Sequence, residues 1–297
     1  MKLTFILSFL SCLVMTLAPS RAQEPIALRL NLAPKFEYSM RLVANQTIAL
    51  VTKKKKDTLT QSLTQDWIYD VREVRADGTT ILGCKISAIS FDQKRPDGTL
   101  SWNSRDGKPA PEPIDFFGVL IGARFSLELD KSGRIRRVIG LNELTERVLA
   151  FYDLGDKLTA SMRPLMRKTV GDNTFKNIGN LMASFPDAPL QIGQNWKKID
   201  PLSGSDGFDY DTTCVLQQLE NGVATIGVKS VLVAQKNATT ASRNPFFAGA
   251  TQTGTLLVDT QSGWTNNAQV VLRNVIQSPQ GRVYIRSEMQ LSPIETP

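Results

Sequence analysis

The sequence predicts an α+β fold, mainly β: a curved antiparallel sheet, or sheets, packed on a central helical hairpin. Three observations predict it. Apolar and polar residues alternate over most of the chain, the two-residue period of strands. Asp-Gly and Asn-Gly pairs punctuate those stretches, at Asp77-Gly78, Asp97-Gly98, Asp106-Gly107 and Asn221-Gly222; such pairs close hairpins between antiparallel neighbours. Across residues 141–185 the apolar spacing changes to three and four residues, which is one face of a helix.

The chain opens with Lys2, an apolar run over residues 3–17, and small residues at Ser20 and Ala22. This is the pattern of an export signal cleaved before Gln23, so residues 1–22 are read as a signal peptide. The run is shorter than the roughly 20 residues a spanning helix needs. A second reading takes Phe9-Leu10-Ser11-Cys12 as a lipidation box. Residues 23–297 are expected to form a single β-rich domain: a β half at 26–140, the helical hairpin at 141–185 and a β half at 190–292.

In the first half, Leu28, Leu30 and Leu32 alternate with Arg29 and Asn31, and Tyr38, Met40 and Leu42 continue the pattern, predicting strand from 26 to 51. The lysines at 53–56 read as a hairpin tip guarded against edge pairing; contact with anionic headgroups is the alternative. Trp67, Tyr69 and Val71 share one strand face, as do Leu82, Cys84, Ile86 and Ala88. Residues 116–121 are continuously apolar. In the hairpin, Leu144, Val148, Phe151, Leu154, Leu158, Met162 and Leu165 make one face, with Asn142 as N-cap and Pro164 as kink or end. Gly171 and Asp172 restart the helix, and Phe175, Ile178, Met182 and Phe185 line its second face. After Pro189 the strand pattern resumes. A polar loop over 237–250 carries the adjacent pair Phe246 and Phe247.

Composition narrows the function. The chain has no histidine, and its formal charge is +7; Lys2 and Arg21 fall in the export segment, leaving +5. That suits a surface meeting anionic lipid or polysaccharide, and is too dilute for nucleic acid. Without histidine the usual general base, nucleophile activator and zinc ligand are missing, and no phosphate-cradling or dinucleotide loop occurs. No cofactor or metal is expected, and no catalytic residue is assigned. Asp206, Asp209 and Asp211 are the strongest carboxylate cluster, read either as a solvated strand entry or, functionally, as a calcium site or a general acid/base pair, though the spacing does not match the twelve-residue calcium loop. Cys84 and Cys214 remain after cleavage, either bridged or as two buried thiols. Trp67, Trp102, Trp196 and Trp264 are expected in core or rim, with sugar stacking as the alternative.

Four segments carry a family resemblance: Asp77-Gly78; Lys131-Ser132-Gly133-Arg134-Ile135; Gly193-Gln194-Asn195-Trp196 following Asp187-Ala188-Pro189-Leu190; and Leu257-Val258-Asp259-Thr260-Gln261-Ser262-Gly263. In that order, over residues 28–291, they resemble the domain-of-unknown-function 6263 family of exported bacterial proteins. The resemblance supplies no activity and no catalytic residues. The strand–helix–strand order is also similar, in architecture alone, to bacterial lipoprotein-carrier folds.

The expected function is a non-enzymatic, exported envelope protein, periplasmic or extracellular. A lipid-like ligand would lie in a groove formed by Leu144, Val148, Phe151, Leu158, Met162, Phe175 and Met182, whose Met and Phe side chains adapt to a flexible ligand. The alternatives are an envelope interaction module using the Phe246–Phe247 loop, with peripheral membrane contact, and a hydrolase using Asp209 and Asp211. Oligomeric state is left open.

Overall fold

The structure, a computed structural model, describes residues 24–53, 55–153, 155–169, 181–201, 208–235, 249–278 and 281–294. Residues 1–22, expected to be a signal peptide, and Leu154, Gly171, Asp172, Phe175, Ile178, Asp206, Phe246 and Phe247 lie outside these residues.

The first half contributes β1 (Glu37–Val51), β2 (Lys56–Val74), β3 (Thr80–Arg95), β4 (Gly98–Asn103), β5 (Arg124–Leu129) and β6 (Ile135–Ile139), with a short helix α1 (Phe116–Leu120). Next come α2 (Leu141–Tyr152) and α3 (Gly155–Thr169). The second half contributes β7 (Asn195–Pro201), β8 (Phe208–Glu220), β9 (Val223–Ala234), β10 (Thr251–Asp259), β11 (Thr265–Ser278) and β12 (Gly281–Pro293). All twelve strands form one antiparallel sheet in the order β6-β5-β3-β2-β1-β12-β11-β10-β9-β8-β7, with β4 on the far length of β3. The sheet is open, since β6 and β7 do not pair. Its halves join along β1 and β12, from Met40↔Pro293 to Val51↔Arg282.

A sheet with one apolar face must bury it. Here the sheet covers its own face by bending. Leu82, Cys84 and Leu127 of the first half share one buried cluster with Leu216, Ile226, Leu256 and Val258 of the second. Bulges beside Trp67 and at Leu216/Gln218 supply local bends. Trp264 sits at the centre, stacked on Tyr38 at 4.3 Å and met edge-on by Tyr69 at 5.5 Å. The tryptophans are packing residues: Trp67 and Trp264 are fully buried, Trp102 donates its indole N–H to Lys108 O at 2.9 Å, and Trp196 donates to Ser184 O at 2.9 Å.

Leu28, Leu30 and Leu32 close the bend. Their alternation is real, all three being buried between exposed Arg29 and Asn31, but they form a strap rather than the expected strand. Leu30 N donates to Lys131 O at 3.0 Å, and Asn31 N to Ser262 O at 2.8 Å. The strap thus lies between two hairpin turns from opposite halves of the sheet. Those turns are built alike. Asp130 Oδ1 accepts from Ser132 N at 2.9 Å and Arg134 N at 3.0 Å; Asp259 Oδ1 accepts from Ser262 N at 2.7 Å. Each ends on a left-handed glycine, Gly133 at φ 80 and Gly263 at φ 68. Aspartate holding backbone N–H groups is the Asx turn.

The helical region departs from expectation in three places. α2 begins after Gly140, with no side-chain cap, and Asn142 lies within the helix. The hairpin turns at Asp153 and Gly155, both at positive φ, while Pro164 sits inside α3. The two helices are tied by Arg163, whose Nε and Nη2 donate to the Glu146 carboxylate at 2.7 and 2.9 Å. Residues 181–185, expected as the end of a second helical face, are non-helical and all buried. Phe185 N donates to Ser132 O at 2.9 Å and Ala183 N to Thr265 Oγ1 at 2.9 Å, so this segment also spans both halves. The apolar run at 116–121 is mostly the short helix α1, opened by Asp115 Oδ1 accepting from Phe116 N at 3.1 Å.

Cys84 and Cys214 are two buried thiols rather than a disulfide. Burial pushes the Cys84 thiol far above its ordinary range, so it presents neither thiolate nor access. A water-soluble disulfide reagent is expected to modify neither cysteine in the native protein and both in denaturant. Rapid native labelling would contradict this packing.

Candidate functional site

Register defines the site. Along the face that carries the core, three rows of side chains cross the sheet, each two residues further from the strap. Strand residues rise roughly 3.3 Å each, so successive rows stand about 7 Å apart.

The first row is apolar and packed. It runs Phe91, Leu63, Ala44, Met289, Val270, Gly254, Val228, Cys214, Trp196 across nine strands. A Cβ on Gly254 would lie 2.2 Å from Gln269 O, so the backbone here leaves no space for a side chain.

The second row is polar: Gln93, Gln61, Gln46, Ser287, Leu272, Gln252, Ser230, Thr212 and, on the edge strand, Lys198. Its first part is self-satisfied. Gln93 Nε2 donates to Gln61 Oε1 at 3.1 Å, and Gln61 Nε2 to Gln46 Oε1 at 2.8 Å. Thr212 and Ser230 share a buried hydroxyl hydrogen bond of 2.8 Å. Gln252 is different: it is only 3% exposed, and its Oε1 has no hydrogen-bond partner among the described residues.

The third row is largely apolar again. Leu59, Ile48 and Ile285 pair across β2, β1 and β12, with Asn274 beyond them on β11. Leu232 and Tyr210 pair across β9 and β8. Next to this row, Leu50, Val283 and Ile276 continue the apolar surface. Ile48, Leu59, Val283 and Ile285 are half-buried, whereas neighbours on the opposite face such as Thr58, Tyr284 and Arg286 are exposed. Phe208, Tyr210, Leu232 and Ala250 form a second buried cluster separate from the main core. Burial pushes the Tyr210 hydroxyl above its ordinary pKa. Apart from Asn274, the side chains named in this band are aliphatic or aromatic.

The residues singled out from sequence fall elsewhere. Leu144, Val148 and Met182 are part of the packed core. Phe151 and Leu158 are 48% and 49% exposed. Met162 is half-buried. Asp209 and Asp211 are partly exposed on the opposite face of β8 from Phe208 and Tyr210. Asp209 Oδ1 accepts from Gln235 Nε2 at 2.6 Å, and Asp211 lies 4.0 Å from Lys197 Nζ. Among the described residues no three of His, Cys, Asp or Glu cluster as a metal site, and no helix is long and apolar enough to cross a membrane. A polar recess of about 340 Å³ beside the Asp130 turn is neutralised by its own pairs, Arg136–Asp130 at 2.7 Å and Lys131–Asp187 at 3.2 Å.

The four motif segments now have physical roles. The Asp130 and Asp259 turns hold the strap. Gly193, at φ 84, turns the chain so that its N–H meets Leu216 O at 2.7 Å and Trp196 reaches Ser184. Asp77 Oδ1 accepts from Thr79 N at 2.9 Å and shapes the turn into β3. Residues 77–265, which contain all four segments, match the profile of a family of unknown function, DUF6263. The chain belongs to this family. No curated protein matches it. Among solved structures, this DUF6263 member is similar to lipovitellin, in a study of its lipid–protein interactions, with 12% identity over 89% of this chain and a TM-score of 0.53. It spans 25% of the lipovitellin chain, and the likeness is one of fold. Two slighter similarities carry no weight for the fold. The DynF protein of dynemicin biosynthesis in Micromonospora chersina has 6% identity, 93% and 88% coverage of the two chains, and TM-score 0.23. A domain described as an outer membrane lipoprotein-sorting protein from Vibrio parahaemolyticus has 10% identity, 86% and 83% coverage, and TM-score 0.15.

Proposed function

We propose that this DUF6263 protein is an exported, non-catalytic protein of the cell envelope that holds a lipid-like ligand against the outer apolar band of its bent sheet. The observation that carries the reading is the band itself: Leu59, Ile48, Ile285 and Val283 continue the core face beyond the packed interior while remaining half-buried. Lipovitellin, the neighbour of similar fold, is described by its lipid–protein interactions, which supports the reading by analogy of fold. The ligand lies beside the packed core, since the interior between sheet and α2 is already filled by Leu144, Val148 and the strap.

Burying about eight methylenes contributes roughly 6 kcal/mol before the cost of association. The methyl ester of a dansyl-labelled undecanoate is therefore expected to bind with a blue-shifted emission. Replacing Ile48 and Ile285 together by lysine is expected to weaken binding at least about tenfold, the outcome of placing two charges in an apolar contact, with the circular dichroism spectrum unchanged. Wild-type protein that leaves the probe emission unshifted would overturn the reading.

A further inference from the structure

We propose that the polar row centred on Gln252 binds the uncharged, hydrogen-bond-donating head of an amphiphile of monoacylglycerol type, its acyl chain lying along the neighbouring apolar band. This inference rests on the lipid-holding reading and specifies its ligand.

Gln252 shows why a head group is needed. A buried carbonyl oxygen without a donor is costly, and native structures leave few such groups. The glutamines of the same row on β1, β2 and β3 satisfy one another, and Thr212 bonds Ser230. Gln252 Oε1 is left as an open acceptor between them. A hydroxyl or amide N–H of a ligand would complete it.

The charge of the head follows from the lining. From β3 to β8 the row contains glutamine, serine, threonine and Leu272, and no ionised side chain. A phosphate or carboxylate brought here would be buried without a counter-charge. A neutral head would not. The length fits as well. Along a strand the two rows stand about 7 Å apart, and Ile285 on β12 lies two strands, roughly 10 Å, across the sheet from Gln252 on β10. About 12 Å therefore separates the open acceptor from the near end of the band, a distance that a glycerol head and about the first five methylenes of its acyl chain span.

The test is displacement of the dansyl undecanoate methyl ester by 1-monooleoylglycerol, methyl oleate and oleate, using wild-type protein and the Gln252→Leu and Gln252→Met variants. Wild type is expected to prefer 1-monooleoylglycerol over methyl oleate by about tenfold, the worth of one satisfied buried hydrogen bond. Either variant that retains the wild-type circular dichroism spectrum is expected to lose that preference while keeping its affinity for methyl oleate. Equal displacement of wild type by the two neutral lipids overturns the inference, and so does stronger displacement by oleate. A preference that survives in a folded variant also overturns it. If none of the three displaces the probe, the lipid-holding reading itself fails and this one with it. Should neither variant fold, the wild-type ratio alone decides.

Discussion

Gly263→Ala is expected to lose about 3 kcal/mol of folding stability, combining left-handed backbone strain with a steric clash. The glycine sits at φ 68, and a Cβ there would lie 2.2 Å from Arg29 O, a backbone atom of the strap. The strap must move, and with it the hydrogen bond from Asn31 N to Ser262 O and the burial of Leu28 and Leu30. Gly122→Ala separates the two contributions. Gly122 has φ 74, and a Cβ there would meet nothing within 4 Å, so it carries only the strain, about 1–2 kcal/mol. Urea unfolding of both variants measures the difference. Limited proteolysis adds a local readout: cleavage within residues 24–36 is expected to accelerate for Gly263→Ala and not for Gly122→Ala. Equal losses would mean that the strap is not latched at this turn.

Asp66→Asn is expected to cost about 2 kcal/mol at neutral pH, less than the 3–5 kcal/mol typical of breaking a fully buried pair. Asp66 is 1% exposed and accepts from Arg41 Nε at 2.8 Å and Nη2 at 3.0 Å, and also from Arg105 Nη2. The contacts tie β2 to β1 and to the turn after β4. The discount arises because both guanidinium groups are partly exposed and rehydrate when the carboxylate is removed. The pH dependence has a definite sign. Burial pulls the Asp66 carboxyl upward, but the two guanidinium groups outweigh it and hold the pKa below the ordinary value. The folded state therefore binds this proton less readily than the unfolded chain. The stabilisation is present above the unfolded carboxylate pKa, near 4, and is lost as the pH falls through the lower folded value. Asp130 acts in the same direction: burial raises its pKa, but bonds from Ser132 and Arg134 and the charge of Arg136 bring the net value down. Wild type and Asp66→Asn are expected to converge in stability as the pH drops from 5 toward 2. A constant gap across that range would contradict the clamp.

Much of the sheet was legible because strands and hairpins are local. The alternation through Trp67, Tyr69 and Val71 and the turn at Asp77-Gly78 specify a face and a reversal without help from the rest of the chain. The helices were legible in part. Leu144 and Val148 face the core as their spacing predicts. The break at Asp153 and Gly155 was hidden because Leu154 continues the apolar period, while Pro164 is the stronger breaker by residue type. Residues 181–185 imitate a helical face through Met182 and Phe185. Their burial comes from bridging the Ser132 and Thr265 positions, contacts that span much of the chain. The site was not legible for the same reason. Gln93, Gln61, Gln46, Ser287, Gln252, Ser230 and Thr212 form a row only once eight strands are in register; in the sequence each is one more polar residue on a strand.

The account turns on which face of the sheet meets the ligand, and photolabelling reads this directly. A monoacylglycerol with a diazirine in mid-chain, activated on the wild-type protein and mapped by peptide mass spectrometry, is predicted to label Ile48, Leu59, Val283 and Ile285. Label concentrated instead on Val43 and Tyr284, which project from the opposite face of β1 and β12, or on Val271 of the adjoining β11, would contradict it.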